Sequence, residues 1–302
     1  MSINVKNISK IYGAQKAIDN ISFNAEVGEI IGLIGPNGAG KTTTMKILTG
    51  YIPQTAGTVE VFGHDLQDEE LQIKKLTGYL PEHNPLYGSM YVKEYLTFVC
   101  RVHKLSNIKD RIERIIERVG LTDEQHKKIS SLSKGYKQRV GIAQAIIHDP
   151  KVLILDEPIS GLDPNQLIEI RSLIKSLSEG RIIIFSSHIL QEIESICDKV
   201  IILDKGKIIK DDSLVDLNAA SQNIINLKLT CVEAINYKSL REITGVLKIE
   251  KSNAVQCILR YDINDDPRPA IFDWAVQQNN KILEMTPLQE SLETIFKSVT
   301  QS

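Results

Sequence analysis

Glu29-Ile30-Ile31-Gly32-Leu33-Ile34-Gly35-Pro36-Asn37-Gly38-Ala39-Gly40-Lys41-Thr42-Thr43 carries an apolar run, then a glycine-rich turn, then a lysine and two threonines. The run reads as a buried strand, and the pattern behind the turn predicts a helix over Thr42 to Leu48. Between strand and helix, Gly35 to Thr42 fits G-x-x-x-x-G-K-[ST], in the context that a phosphate-cradling loop requires. Glycines let the backbone wind so that successive N–H groups face phosphate oxygens, and the helix N-terminus adds the positive end of its dipole. Gly35, Pro36, Asn37, Gly38, Ala39 and Gly40 form that winding. Lys41 is positioned to reach the β and γ phosphates of a nucleotide, the Thr42 hydroxyl to ligate Mg2+, and Thr43 belongs to the same nucleotide-binding set. The expectation is an α/β fold of the P-loop NTPase kind.

Working outward, Val152-Leu153-Ile154-Leu155-Asp156-Glu157 is an apolar strand that ends in two carboxylates. Such a strand suits a Walker B group: Asp156 at its tip holds Mg2+ through water, and Glu157 orients or deprotonates the attacking water. Taken alone, an apolar strand ending in acids is often a strand reaching solvent. Its position about 115 residues after the phosphate loop removes most of that ambiguity. Lys151 to Leu155, Arg181 to Ser186 and Lys199 to Leu203 read as continuous apolar strands flanked by helices, the pattern of a parallel sheet. From about Val92 to Ile147 the pattern is helical, with Ile112, Ile115, Ile116 and Val119 spaced as one apolar stripe. This predicts an inserted helical subdomain over about residues 85–147.

Short β-like runs at Ile3-Asn4-Val5 and Ile21-Ser22-Phe23, separated by Gly13 and Gly28, predict a small antiparallel sheet at the N-terminal end. The α/β core is expected to close near residue 210, so that a nucleotide-binding domain spans 1–215 and a second domain 216–302. In the latter we read strand 224–231, helix 233–242, strand 245–251, strand 254–261, helix 267–278, strand 281–286 and a final helix 288–298. That β-α-β-β-α-β order is the ferredoxin-like α+β motif. It shows no catalytic cluster, which favours a regulatory or dimer-stabilising appendage.

Composition narrows the class. The 302 residues are 42% hydrophobic and 25% charged, as in an ordinary globular protein, and the formal net charge of -2 offers no basic field for nucleic acid. Cys100, Cys197, Cys231 and Cys257 contain no C-x-x-C pair, so neither a zinc site nor a disulfide framework is signalled. Met1 to Lys10 lacks the form of a signal peptide, and no apolar run approaches the ~18 residues of a membrane helix. A GTPase switch would need N-K-x-D, and Asn280-Lys281-Ile282-Leu283 lacks the aspartate.

Leu132-Ser133-Lys134-Gly135-Tyr136-Lys137-Gln138-Arg139 resembles the signature L-S-G-G-Q-x-Q-R of ATP-binding-cassette (ABC) ATPases. A serine and a glycine at a helix start offer an anion a hydroxyl, a free N–H and a dipole. The resemblance implies that this anion is the γ-phosphate held by an opposite protomer, in a dimer of identical or like subunits with two ATP molecules between them. Along residues 1–210 it further implies that Tyr12 stacks on adenine and that Ser160-Gly161-Leu162-Asp163 is the D-loop. It makes His188, behind Ser186-Ser187, the switch histidine at the γ-phosphate. Glu82, in Gly78-Tyr79-Leu80-Pro81-Glu82, stands where the family has a Mg2+-sensing glutamine that faces the membrane subunit. Lys134 and Tyr136 replace Gly and Gln of the signature, while Ser133 and Gly135 remain.

With Tyr79 to Tyr87, these departures are similar to the multidrug and ABC-2 export subunits, and among them to the ATP-binding subunit associated with bacterial gliding motility. The resemblance implies an ATPase subunit on the inner face of the cell membrane, partnered by an integral membrane permease and not by nucleic acid. A soluble ABC ATPase acting on ribosomes or DNA is the alternative. Such proteins typically carry two cassettes or a long coiled-coil insertion, and this chain has one phosphate loop and one signature.

Overall fold

Alternation in the first 25 residues produces a longer hairpin than the two short runs suggest. The computed structural model, which describes residues 2–216 and 224–288, has strands β1 (Ile3–Tyr12) and β2 (Gln15–Ala25) paired antiparallel. Register shifts along the pair fall beside Asn7 and Asn20, both at positive φ. The Ser22 hydroxyl accepts from the Asn7 N–H at 2.8 Å and that of Ser9 accepts from the Asn20 N–H at 2.9 Å, so the bulged backbone keeps its partners. Proline-free apolar alternation reads clearly, but bulges interrupt period two, which is why the sequence pattern broke into fragments.

β3 (Ile30–Ile34) is buried at all five positions, as a central parallel strand must be. Helix α1 (Lys41–Leu48) follows it, and β4 (Ala56–Val61) and β5 (His64–Asp65) then join the first sheet in the order β2-β1-β4-β5. α2 (Glu70–Leu76) leads into β6 (Thr77–Leu80). The helical insertion comprises α3 (Val92–Val102), α4 (Ile108–Arg118) and α5 (Lys134–Ile146), with a single 3-10 turn at Ile129–Ser131. Ile112, Ile116 and Val119 of the expected stripe are buried, whereas Ile115 lies at its half-exposed margin.

β7 (Val152–Leu155), α6 (Pro164–Leu177), β8 (Ile182–Ser186), α7 (Leu190–Ile196), β9 (Lys199–Asp204) and β10 (Lys207–Ser213) complete a six-stranded sheet in the order β10-β9-β3-β8-β7-β6. β9, β3, β8, β7 and β6 are mutually parallel. Close packing is built into β3: a Cβ on Gly32 would lie 2.8 Å from both Cys197 Sγ and a methyl of Ile193, so α7 sits directly on the strand. Each fully buried isoleucine or leucine of this core contributes about 1.5–3 kcal/mol of burial.

The chain divides into two compact units, Met1–Asp212 and Ser213–Ser302. The second has β11 (Ile224–Cys231), α8 (Tyr237–Arg241), β12 (Lys248–Lys251), β13 (Gln256–Asp262), α9 (Arg268–Gln277) and β14 (Ile282–Leu288). Its sheet order is β12-β13-β11-β14 with every neighbour antiparallel, a ferredoxin-like arrangement. Its core is its own and contains Trp274, whose indole N–H donates to Ser239 Oγ at 2.8 Å.

Three readings need correction here. Helix 233–242 shortens to Tyr237–Arg241, because Glu233 is tied to Asn280 by two hydrogen bonds of 2.9 and 3.0 Å and Asn236 caps the helix start. Strand 245–251 starts at Lys248, after Gly245 at φ 88. Leu288, read as the start of a final helix, ends β14; Pro287 is tolerated there because β14 is an edge strand. The rest of that helix lies outside the described residues. Among the described residues, no helix is long and apolar enough to cross a membrane.

Candidate functional site

The phosphate loop is shaped by what its glycines prevent. A Cβ on Gly35 would lie 2.3 Å from the Leu203 carbonyl, and one on Gly40, at φ 109, would lie 2.8 Å from the Ala17 carbonyl. Gly206, in the turn between β9 and β10, braces the loop by donating its N–H to Ala39 O at 3.1 Å. Gly40 precedes α1 directly, so the open N–H groups of that helix face the loop. The Lys41 ammonium donates to Gly35 O at 2.7 Å and Pro36 O at 3.2 Å. Burial lowers its pKa, and the negative charges of Glu157, Asp156 and Glu82 oppose that shift.

A cleft of about 510 Å3 lies over this loop, lined by Tyr12, Asn37 to Thr43, Glu82, Asp156 and Glu157. Strand direction explains the convergence. β3 and β7 are parallel members of one sheet, so the loop after β3 and the carboxylates after β7 emerge at the same edge. Tyr12 ends β1 with its ring half-exposed and the Lys10 ammonium 5.1 Å from its centroid. Glu82 is exposed in the loop after β6.

Asp156 is 1% exposed. Its Oδ1 accepts from Ser186 Oγ at 2.7 Å, whereas Oδ2 is buried with no hydrogen-bond partner. An orphan carboxylate oxygen at the wall of a cleft that also holds the Thr42 hydroxyl fits an oxygen-liganded cation such as Mg2+. The next residue, Glu157, is held at φ 51, a conformation that costs a non-glycine residue roughly 1–2 kcal/mol. Its N–H donates to the same Ser186 Oγ at 2.9 Å, and its carboxylate lies 2.8 Å from His188 Nδ1. His188 itself does not line the cleft and reaches it only through Glu157.

Ser186 escaped sequence reading. It ends β8, and the Leu155–Phe185 register places it beside Asp156; only the Ser186-Ser187 pair after an apolar strand pointed to it. Gln15 and Ala17, at the start of β2, also line the cleft with no motif to mark them.

Leu132 to Tyr136 and Ser160 to Asp163 do not line the cleft; they meet each other instead. Ser133 caps α5, its hydroxyl accepting from the Tyr136 N–H at 3.4 Å, and Asp163 caps α6 by accepting from the Gln166 N–H at 2.9 Å. A Cβ on Gly135 would strike the Gln166 side chain at 2.4 Å, and one on Gly161, at φ 66, would strike Lys134 Nζ at 2.2 Å. The exposed Lys134 ammonium thus rests against Gly161, in the loop before α6 of its own chain.

Residues 18–160 match the family model described as ABC transporter. The linearmycin resistance ATP-binding protein LnrL of Bacillus subtilis is 31% identical over 99% of this chain and 98% of its own length. The bacitracin transport ATP-binding protein BcrA of Bacillus licheniformis is 38% identical over 76% of this chain and 75% of its own. Among solved structures, CbiO1 of Clostridium perfringens, part of the ABC transporter complex CbiONQ, superposes with a TM-score of 0.66 at 27% identity, covering 72% of this chain and 90% of that one. The chain is an ATPase of the ABC class and belongs to the family of ATP-binding subunits of ABC transporters.

Proposed function

We propose that this chain is the motor of an exporter: two copies close on two ATP molecules, and hydrolysis and reopening drive a separate membrane permease. The observation that carries the reading is the meeting of Lys41, Asp156 and Glu157 in one cleft, with a buried Asp156 oxygen free to face a cation. Thr42, Asp156 and Glu82 would hold Mg2+, which when bound neutralises phosphate charge. Glu157 positions and deprotonates the attacking water, and His188 orients the Glu157 carboxylate. Tyr12 receives the adenine, and the loop Gly35 to Thr43 the phosphates.

The signature segment lies apart from this chain's own cleft, which supports a second copy as its user. There Ser133, Gly135 and the Lys134 ammonium face the γ-phosphate of the partner's nucleotide, and Ser160 to Asp163 follow the contact. The permease docks near Glu82 to Tyr87. Tyr87 packs on Tyr95 and Phe98 at centroid distances of 5.8 and 5.7 Å, and Tyr87 and Phe98 are exposed, an aromatic surface of the kind interfaces use. The names of LnrL and BcrA support export, and a place on the inner face of the membrane follows from a permease partner. A role in gliding motility is the narrower reading and rests on the Tyr79 to Tyr87 and Leu132 to Tyr136 segments.

The test is a pull-down of tagged Glu157→Gln from detergent-solubilised membranes with ATP and Mg2+. This variant should bind ATP, hardly turn over and accumulate as a dimer, bringing with it a chain with several membrane spans. Recovery with ribosomes alone would overturn the transport reading, and normal turnover would remove Glu157 from its role.

A further inference from the structure

At the edge of the parallel sheet opposite Asp156 and Glu157, a second concavity of about 240 Å3 opens between α4 and the segments that precede β7 and β8. Arg111, Arg114 and Arg118 line it at spacings of three and four, one face of α4, with Ile115 between them; Arg181 and Asp149 close the other side. Four guanidinium groups thus share one small space with a single lining carboxylate, a local excess of three positive charges in a chain whose net charge is -2. Among the described residues only Arg181 of the four is ion-paired, with Asp149.

Arginines on an ordinary helix surface spread into solvent, and these are held instead. Arg111 Nη1 donates to Ile147 O at 2.9 Å, Arg114 Nε to Asp110 O at 3.3 Å, Arg118 Nη2 to Ser176 O at 3.4 Å and Arg181 Nε to Pro150 O at 3.0 Å. Backbone carbonyls fix each group and neutralise none of them. In addition, Arg111 Nε is buried with no partner. An unsatisfied buried donor of this kind is costly to the fold, and an anionic ligand would supply the partner it lacks.

From this arrangement we propose that the concavity is a binding site for a phosphate group, carried as a phosphomonoester or a diphosphate. The guanidinium fork matches phosphate oxygens bidentately, and a dianion or trianion balances the excess charge where a single carboxylate leaves most of it. At about 240 Å3 the space is below the range of sites that enclose whole drug-sized ligands, so it takes the phosphate end and leaves the remainder outside. A soluble phosphorylated compound and an anionic lipid headgroup share this chemistry.

The experiment uses the full chain with its nucleotide cleft saturated by a non-hydrolysable ATP analogue. Pyrophosphate is titrated calorimetrically, and co-sedimentation is measured with phosphatidylcholine vesicles with and without phosphatidic acid. Arg114→Glu/Arg118→Glu is the paired variant, chosen because both side chains are exposed and neither is ion-paired among the described residues. We expect saturable binding by the natural chain and at least tenfold weaker binding by the variant, with unchanged melting temperature and unchanged affinity for the ATP analogue. Calorimetric binding of pyrophosphate identifies a soluble ligand, and sedimentation only with phosphatidic acid identifies a lipid headgroup; either supports the site. No binding of either probe, or equal binding by the variant, overturns it.

Discussion

The Ser186 hydroxyl donates to Asp156 Oδ1 and accepts from the Glu157 N–H, so one side chain fixes both the carboxylate suited to a cation and the one suited to water. Ser186→Ala removes both bonds. It should leave ATP affinity nearly unchanged, lower turnover about tenfold or more through misplacement of Glu157, and cost about 1–3 kcal/mol of stability in urea titrations. Turnover equal to that of the natural chain would show that Glu157 holds its position without this bond. Lys41→Ala belongs to the same scale. It removes the buried charge that lines the cleft and should weaken ATP binding at least about tenfold in equilibrium titration; unchanged affinity would overturn the phosphate-loop assignment.

At the scale of elements, the join between α5 and β7 carries a half-buried histidine. His148 stacks on His103 of the loop after α3, with ring centroids 4.3 Å apart and planes within 8°, while its Nε2 lies 3.2 Å from Thr77 O and its Nδ1 has no partner. Burial first, and the neighbouring His103 second, push the His148 pKa down to about 4 from 6.5. Between those values the unfolded chain binds a proton that the folded chain refuses. Stability therefore falls as pH drops through this window, by about 3 kcal/mol in all. His148→Phe, which keeps an aromatic ring against His103, should lose much less between pH 6.5 and 4.5 in urea unfolding. Equal pH dependence in both chains would assign the effect to other groups.

Elements were unequally legible in the sequence. The phosphate loop, β7 and β8 could be read because buried parallel strands are unbroken apolar runs and the loop's chemistry demands fixed residues. α8 was overextended because the bonds between Glu233 and Asn280 span 47 residues, and no local pattern records them. Ser186 was missed for the same reason: its two partners directly follow another strand, brought to it by register alone. Asp156 and Glu157 could be read from their apolar strand and its distance from the phosphate loop, whereas Tyr12 and Glu82 were expected only through family likeness; the parallel direction of β3, β6 and β7 brings the loop, Glu82, Asp156 and Glu157 to one edge, and Tyr12 comes from β1 of the other sheet.

For the whole molecule, the consequence of two separate cores is two separate stabilities. Calorimetry should resolve two unfolding transitions, and ATP analogue at 100 times its Kd should raise the one belonging to residues 1–212 by about 2.7 kcal/mol of stability and leave the other in place. A single transition shifted as a whole would mean that the units unfold as one. Trp274, buried in the C-terminal core and bonded to Ser239, is the one tryptophan of the chain. Indole fluorescence, excited at wavelengths where the nine tyrosines do not absorb, therefore watches only the unit that does not carry the phosphate loop. Any change in its emission when ATP binds is a message received across the chain, and a silent fluorophore would mark the second unit as a bystander to the catalytic cycle.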